Sequence, residues 1–292
     1  MEEPVMEQPI LGVIGGSGLY EMDQLEQVEQ RQIETPFGPT SSPITIGSIE
    51  GMRVAFLARH GIGHFISPSE VNYRANIYAL KMLGVKNVIG ISACGSLRED
   101  YEPGHFVVPD QLIDFTRRRE SSFFGNGLVV HVGVAQPFCP ALSDQLRAAA
   151  SAAGANLHPR GSFITIEGPR FSTRGESNLF RSWSIDIIGM TTAPEAFLAR
   201  EAEMCYAVLA HITDYDVWHD VEAPVSVDMV IETLAQNTAT AKATIVNLLK
   251  LLPNKQDCDC DHALRDAFIT PIEKVPAEVR EKLAPMLEKY IK

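Results

Sequence analysis

No apolar run in this sequence approaches the roughly 20 residues that cross a bilayer. Its first ten residues, MEEPVMEQPI, are acidic where a secretory leader would be basic and then greasy. Neither membrane insertion nor export is expected, and the expected compartment is the cytoplasm. Positive charge is scarce as well: Lys and Arg number 25 against 37 Asp and Glu, a formal net charge of -12. That balance excludes a broad nucleic-acid or anionic-membrane surface, and an anionic ligand would need a local basic pocket. Cysteines number only five in 292 residues and are scattered, too few for a secreted disulfide scaffold. Cys94, Cys139 and Cys205 sit in apolar or glycine-flanked contexts that suit small core residues. Cys258 and Cys260, in DCDCDH beside His262, leave three readings open: a metal pair, a strained small-ring disulfide, or free thiols. There is no internal repeat and no low-complexity tract.

What is present is a chain 45% hydrophobic, with enough length for a substantial core. Strand-like runs recur: PILGVIGG, SPITIGSI, RVAFLARHG, NVIGISACG, HFVVPDQLI, SFITIEG and MCYAVLAHITDY. Helical patterns lie between several of them. EVNYRANIYALKMLG ends on Gly84 as a C-cap, ALSDQLRAAASAAG and ESNLFRSW follow the same period, and PEAFLAREAE carries Pro194 in its first turn. A long helix is expected from Ser226, its N-cap, to Leu252, and a short charged helix in PAEVREKLAPMLEKYI. The alternation predicts an α/β fold, a single domain with a central mixed, mostly parallel twisted sheet flanked by helices. Residues 1–252 form that domain in this reading, and 253–292 a C-terminal extension that would serve as a packing arm for a neighbouring subunit.

Chemistry in such sheets gathers at the carboxyl ends of strands. GVIGGSGLY ends its strand in glycines but lacks the third glycine of a dinucleotide loop, Glu21 standing there, and lacks the Gly-Lys-Ser/Thr of a P-loop. A turn with several free N–H groups and the Ser17 hydroxyl remains, enough for a small oxyanion. Arg59 and His60 end another strand, Ser92, Ala93 and Cys94 a third, and Thr191 follows IDIIG and Met190. Ser17, Arg59, His60, Ser92 and Thr191 together offer a cation with neutral donors, a set suited to free phosphate without a metal. Asp214 and Asp216 end the last strand; at i and i+2 of an extended chain both face one ligand. Glu167 and Arg170 read equally as an ion pair or as site residues.

Over about residues 9 to 250 the chain resembles the trimeric purine nucleoside phosphorylases, and within them the S-methyl-5'-thioadenosine phosphorylases. The blocks that carry this are GVIGGSGLY, RHGIGH with PSEVNYRANIYALK, SACGSLRE, PFCP, TIEGPRFSTRGES, IIGMTTAPEAFLAREAEMCYA and TDYDVW. The resemblance implies reversible phosphorolysis: phosphate attacks C1' of the sugar, adenine departs, and 5-methylthioribose 1-phosphate remains. It also implies that Ser17, Arg59, His60, Ser92 and Thr191 surround phosphate, and that Ala93, Cys94 and Phe171 line the purine. Asp214 and Asp216 would face N7 and the 6-amino edge as the catalytic pair, with Met190 under the ribose. His131, Val227, Val230 and Ile231 would wall the methylthio group, some of them from a neighbouring subunit of a homotrimer or a pair of trimers. No cofactor and no metal are implied, phosphate being a co-substrate.

Substrate choice follows from the same residues. Carboxylate acceptors favour a 6-aminopurine over a 6-oxopurine, and relatives that read 6-oxopurines resemble one another in an Asn where Asp214 stands here. Gly189 departs from relatives that carry Asn near the ribose. Two other readings stay open: a 6-oxopurine or methylthioinosine phosphorylase, and a non-catalytic nucleoside-binding protein.

Overall fold

Strands buried on both faces read as continuous apolar runs, and parallel pairing is their usual solution. The computed structural model describes residues 8–16, 18–19, 21–219, 227–252 and 257–291, with backbone alone for 227–236. Four such runs lie side by side in it. These are β1 (Leu11–Gly15), β4 (Met52–Ala58), β5 (Asn87–Ser96) and β11 (Cys205–Asp214), with β1 parallel to β4 and β5, and β11 parallel to β5. Antiparallel strands β2 (Glu26–Arg31) and β3 (Ile44–Ile49) extend one side. On the other lie β10 (Ile187–Gly189), antiparallel to β5, then β9 (Ser162–Ile166) and β7 (Gln111–Phe115). β6 (Phe106–Val107) joins β11 to β8 (Leu157–His158). The result is one mixed sheet in the order β2-β3-β4-β1-β5-β10-β9-β7, with β11 branching from β5.

Alternation within the strands loads both faces. Ile14, Leu57 and Val208 join the core under α1 (Tyr73–Met82) and α4 (Thr192–Glu201). Val13, Phe56 and Leu209 join the core under α2 (Pro140–Ala152) and α5 (Val227–Leu251). Between them in sequence, α3 (Arg174–Ser182) opens with a capping box in which Thr173 and Glu176 satisfy each other's backbone N–H groups. The C-cap of α1 is Leu83 rather than Gly84, which follows it at φ +78, the left-handed position where glycine ends helices. Among the described residues no helix is long and apolar enough to cross a membrane.

Three further expectations need correction. HFVVPDQLI is two strands, β6 and β7, because Pro109 between them has no N–H for the ladder and the chain leaves for another edge. The expected C-terminal helix is two short ones, α6 (Ala277–Lys282) and α7 (Ala284–Leu287), parted at Leu283 where Pro285 cannot continue the bonding. The extension is also not solely an arm for a neighbouring subunit: Leu264, Val279, Leu283 and Met286 are buried in the chain's own core. Ser226, the expected cap of α5, lies outside the described residues.

His211 on β11 is fully buried, neither ring nitrogen has a hydrogen-bond partner, and burial lowers its pKa to about 4. The unfolded chain therefore binds this proton more readily than the folded one between about pH 4 and 6.5, and its contribution to stability is lost as pH falls through that window. Replacing His211 by Leu should flatten the acid side of the stability curve by about 3 kcal/mol. Urea unfolding at pH 7.5 and pH 4.5 measures it; an unchanged difference between the two pH values would refute it.

Candidate active site

The parallel strands end in register. Gly15 pairs Ala58, Ile14 pairs Gly90, and the Arg59 N–H donates to the Gly15 carbonyl at 2.9 Å. The loops after β1, β4 and β5 consequently open on one spot, the place where an open α/β sheet holds ligand. β10 approaches from the opposite direction along β5, so the residues that follow it return to the same spot. Thr191 meets Ser92 there, hydroxyl to hydroxyl at 3.2 Å, and both are buried. Beyond β1, Gly18 takes φ +101, a conformation that favours glycine; Ser17 lies outside the described residues.

Arg59 reaches the expected place, but not as a free cation. Its Nε and Nη2 close on both oxygens of Glu195 at 2.8 Å, Nη2 also donates to the Ile14 carbonyl, and Nη1 donates to Ile91. The Tyr206 hydroxyl adds a third bond to Glu195 at 2.7 Å. Burial opposes the charge, yet the Glu195 carboxylate holds the guanidinium protonated well above its ordinary range. The expected cationic corner is thus a neutralised pair that braces the strand ends through the Ile14 and Ile91 carbonyls. Neither Glu195 nor Tyr206 was singled out from sequence; an acid in the apolar stretch APEAFLA was the available signal.

His60 is nearly buried and stacks on His64 at 4.4 Å. Burial, and then the neighbouring Arg59, lowers its pKa to about 4. Its Nδ1 lies 2.8 Å from the Ile66 carbonyl, which can only accept, so the neutral ring carries its proton on Nδ1 and leaves Nε2 as an acceptor.

Glu167 does not pair with Arg170. Burial would raise its pKa, but the Arg117 and Arg118 amides, Ser69 and Arg119 hold it down at about 2. Arg170 instead forms a two-pronged bridge with Glu176 at 2.7 Å. Arg119, unremarked in the sequence, is buried and also donates to the Ala193 carbonyl just past Thr191.

The carboxylate corner departs from the extended geometry expected for it. β11 ends at Asp214, Asp216 takes φ +52, and a single 3-10 turn follows. Asp214 Oδ1 accepts the Asp216 N–H at 2.8 Å and Oδ2 accepts the Thr213 hydroxyl at 2.7 Å. The pair is therefore arranged by a side-chain-closed turn, not by strand alternation, because the chain leaves the sheet between the two acids. Burial raises the Asp216 pKa against the opposing effects of Ser177 and the Val217 amide. Asp216 Oδ2 and the Ser177 hydroxyl are buried beside one another, and the Ser172 hydroxyl is buried with no hydrogen-bond partner among the described residues. A buried hydroxyl left unmet just before α3 is what a polar ligand edge would satisfy.

Gly95 stands opposite Asp214 in the pairing of β5 with β11. A Cβ there would lie 2.9 Å from Asp214 Oδ1 and 3.2 Å from Asp216 Cβ, so the missing side chain is what lets the acids approach β5. Gly189 has a packing reason: a Cβ would meet the Phe163 ring at 2.6 Å. The Cys94 side chain also departs from its expected role as purine lining. Its thiol turns into the core and donates to the His211 carbonyl, burial with Asp214 nearby pushes its pKa up, and only its carbonyl, accepting from Thr213, faces the corner.

Ala93 is half-buried, Met190 packs against Gly168, and Phe171 is 39% exposed, unusual for so large an apolar ring. His131 lies apart from this cluster in the chain, exposed, with its N–H bonded to the Ala267 carbonyl of the extension. Val227, Val230 and Ile231 fall on the first turns of α5, where side chains lie outside the described residues.

Comparison with known proteins gives a consistent picture. Residues 10–250 match the phosphorylase superfamily. The S-methyl-5'-thioadenosine phosphorylase of Geobacter sulfurreducens is 52% identical over 98% of this chain and 100% of its own length. That of Thermofilum pendens is 50% identical over 90% of this chain and 100% of its own. Among solved structures, a methylthioadenosine phosphorylase from an antarctic soil metagenomic library superposes with a TM-score of 0.92 at 46% identity, covering 96% of this chain and 99% of that one. The methylthioadenosine phosphorylase of Schistosoma mansoni in complex with adenine gives 0.83 at 38% identity, covering 88% and 96%.

Proposed function

This chain belongs to the phosphorylase superfamily, and from that membership we propose that it catalyses the reversible phosphorolysis of S-methyl-5'-thioadenosine to adenine and 5-methylthioribose 1-phosphate, with inorganic phosphate as co-substrate and no cofactor. The observation that carries the reading is the span of β5. Ser92, against the Thr191 hydroxyl, and Gly95, against Asp214, are three residues apart on one strand. At the strand rise that is about 10 Å, of the order of the length of a nucleoside with its attacking anion.

In this reading the glycine turn, Ser92 and Thr191 bind phosphate with neutral donors. His60 Nε2 accepts from a protonated phosphate oxygen, and Arg59 braces the site through Glu195. As the glycosidic bond lengthens, charge builds on the purine and a cationic sugar develops, which phosphate stabilises and then attacks. Asp214 holds or relays the proton that N7 takes up. Asp216 accepts from the 6-amino group, and Phe171, Ala93 and Met190 supply the apolar walls of purine and ribose.

Adenine release from methylthioadenosine, measured with and without phosphate and beside inosine and methylthioinosine, tests the proposal. Release without phosphate would make the protein a hydrolase, and equal or faster turnover of the 6-oxo substrates would reassign the base. Because Gly95 gives Asp214 its room, Gly95→Ala should lower kcat/KM by about 10²-fold, as misplacing a catalytic group does, with the fold intact by circular dichroism. Wild-type kinetics in that variant would remove Asp214 from the reaction.

A closed trimer belongs to the same proposal. His131 sits on an exposed segment with Val129 and Val134, 46% and 40% exposed, and Phe65 is 86% exposed beside His64. Apolar side chains so uncovered suit burial against a second copy. Sedimentation showing a fully active monomer would overturn it.

A further inference from the structure

Four of the five cysteines meet where the C-terminal extension joins the core. Cys139 is the N-cap of α2, and its N–H donates to Tyr206 on β11. Cys205 opens β11. Cys258 and Cys260 come from the extension, Cys260 starting a 3-10 turn that Asp259, at φ -99 and ψ 19, bends the chain into. All four thiols are free, and their sulfurs lie within 4.8 Å of one another, with Cys205 and Cys258 at 3.5 Å. Three of the four residues are buried.

We propose that Cys139, Cys205, Cys258 and Cys260 form a tetrathiolate site for a zinc-class cation that pins the C-terminal extension to the sheet.

The argument is geometric. A tetrahedral centre with metal–sulfur bonds of about 2.3 Å needs all six sulfur–sulfur separations near 3.8 Å. Two disulfides would need only two short separations and would leave the pairs free to part. A disulfide within Cys258-Asp259-Cys260 would also close a small, strained ring. The arrangement in which every sulfur neighbours every other is the one that a single shared ion demands. A two-to-four-residue gap is the usual spacing of zinc-binding cysteine pairs; here one residue suffices because the chain turns at Asp259.

Chemistry and surroundings agree. Soft thiolates select zinc over magnesium or calcium, and a closed four-sulfur shell leaves no open position, so the site is structural. Binding releases four thiol protons to solvent, with no redox change, and leaves a complex of charge about -2 by thiolate count. The N-terminus of α2 is suited to that charge: the Leu142 N–H points at Cys139 Sγ from 3.5 Å. Asp257, Asp259 and Asp261 alternate with the thiols but face solvent, where their repulsion is screened. His262 is exposed beside Asp261 and outside the four-sulfur cluster.

The mechanical role follows from the neighbours. Two residues before Cys205, Glu203 accepts the Leu264 N–H and the Tyr290 hydroxyl of the extension. The ion would fasten the near end of a segment that those bonds and a buried apolar face hold further along.

The test uses the full chain, purified under reducing conditions without chelator, with its metal measured by mass spectrometry and its thiols counted after denaturation. The expected result is about one zinc per chain, and cobalt replacement giving the intense visible bands of tetrahedral tetrathiolate cobalt. The double variant C258S/C260S should lose both, while Cys94→Ser, outside the cluster, should keep them. The cobalt spectrum of the unmodified chain reads the site without relying on a variant that folds. A folded, reduced chain that binds no zinc or cobalt in excess overturns the proposal. So does metal retained by C258S/C260S, or two disulfides in chains kept under reductant.

Discussion

Asp214→Asn is expected to cut turnover of methylthioadenosine by about 10²–10⁴-fold, the usual worth of a positioned acid, with a smaller change in KM. Asn is the informative replacement because its amide oxygen can still accept the Asp216 N–H that closes the turn after β11. The backbone then stays, while the group that can carry a proton to N7 is lost. Alanine would remove the turn's closure as well and mix the two effects. The same change should narrow the preference for a 6-amino over a 6-oxo purine, since an amide can donate to an oxo group where a carboxylate opposes it. Kinetics on methylthioadenosine and methylthioinosine with both proteins decide the matter. Unchanged turnover in the variant would end the case for Asp214 as the proton carrier.

Glu195→Ala should be the most destabilising single substitution near the site, costing about 3–5 kcal/mol, because it strands the buried Arg59 guanidinium. Glu195 accepts from Arg59 twice and from Tyr206 once, and all three side chains are essentially closed to water. Urea denaturation measures the loss; a change below about 1 kcal/mol would mean that the pair is not the brace described. Inorganic phosphate should stabilise this variant more than the unaltered protein, since the guanidinium then has no other anion at hand. Equal phosphate stabilisation of the two would separate Arg59 from the phosphate site altogether.

Legibility differed by element. The buried strands β1, β5 and β11 were plain because a long, nearly continuous apolar run has few other uses in a chain of this composition. β2 was not, because its sequence EQVEQR carries no apolar pattern and it is a strand only by pairing with β3 at the sheet edge. In the site, the acids and hydroxyls could be named from their positions after strands. The true partner of Arg59 could not, since Glu195 is 136 residues away.

The sequence alone determined which residues could do chemistry: strand ends rich in hydroxyls, one Arg-His pair, and two acids two residues apart, in blocks similar to a known family. Only tertiary structure decided how those groups are spent. Arg59 is neutralised by Glu195, His60 has its proton committed to a carbonyl, Asp214 closes a turn, and four scattered cysteines share one corner. The reason is physical. Residue identity and spacing govern local backbone choices, whereas a side chain's charge, proton and partners depend on what burial brings beside it from distant parts of the chain.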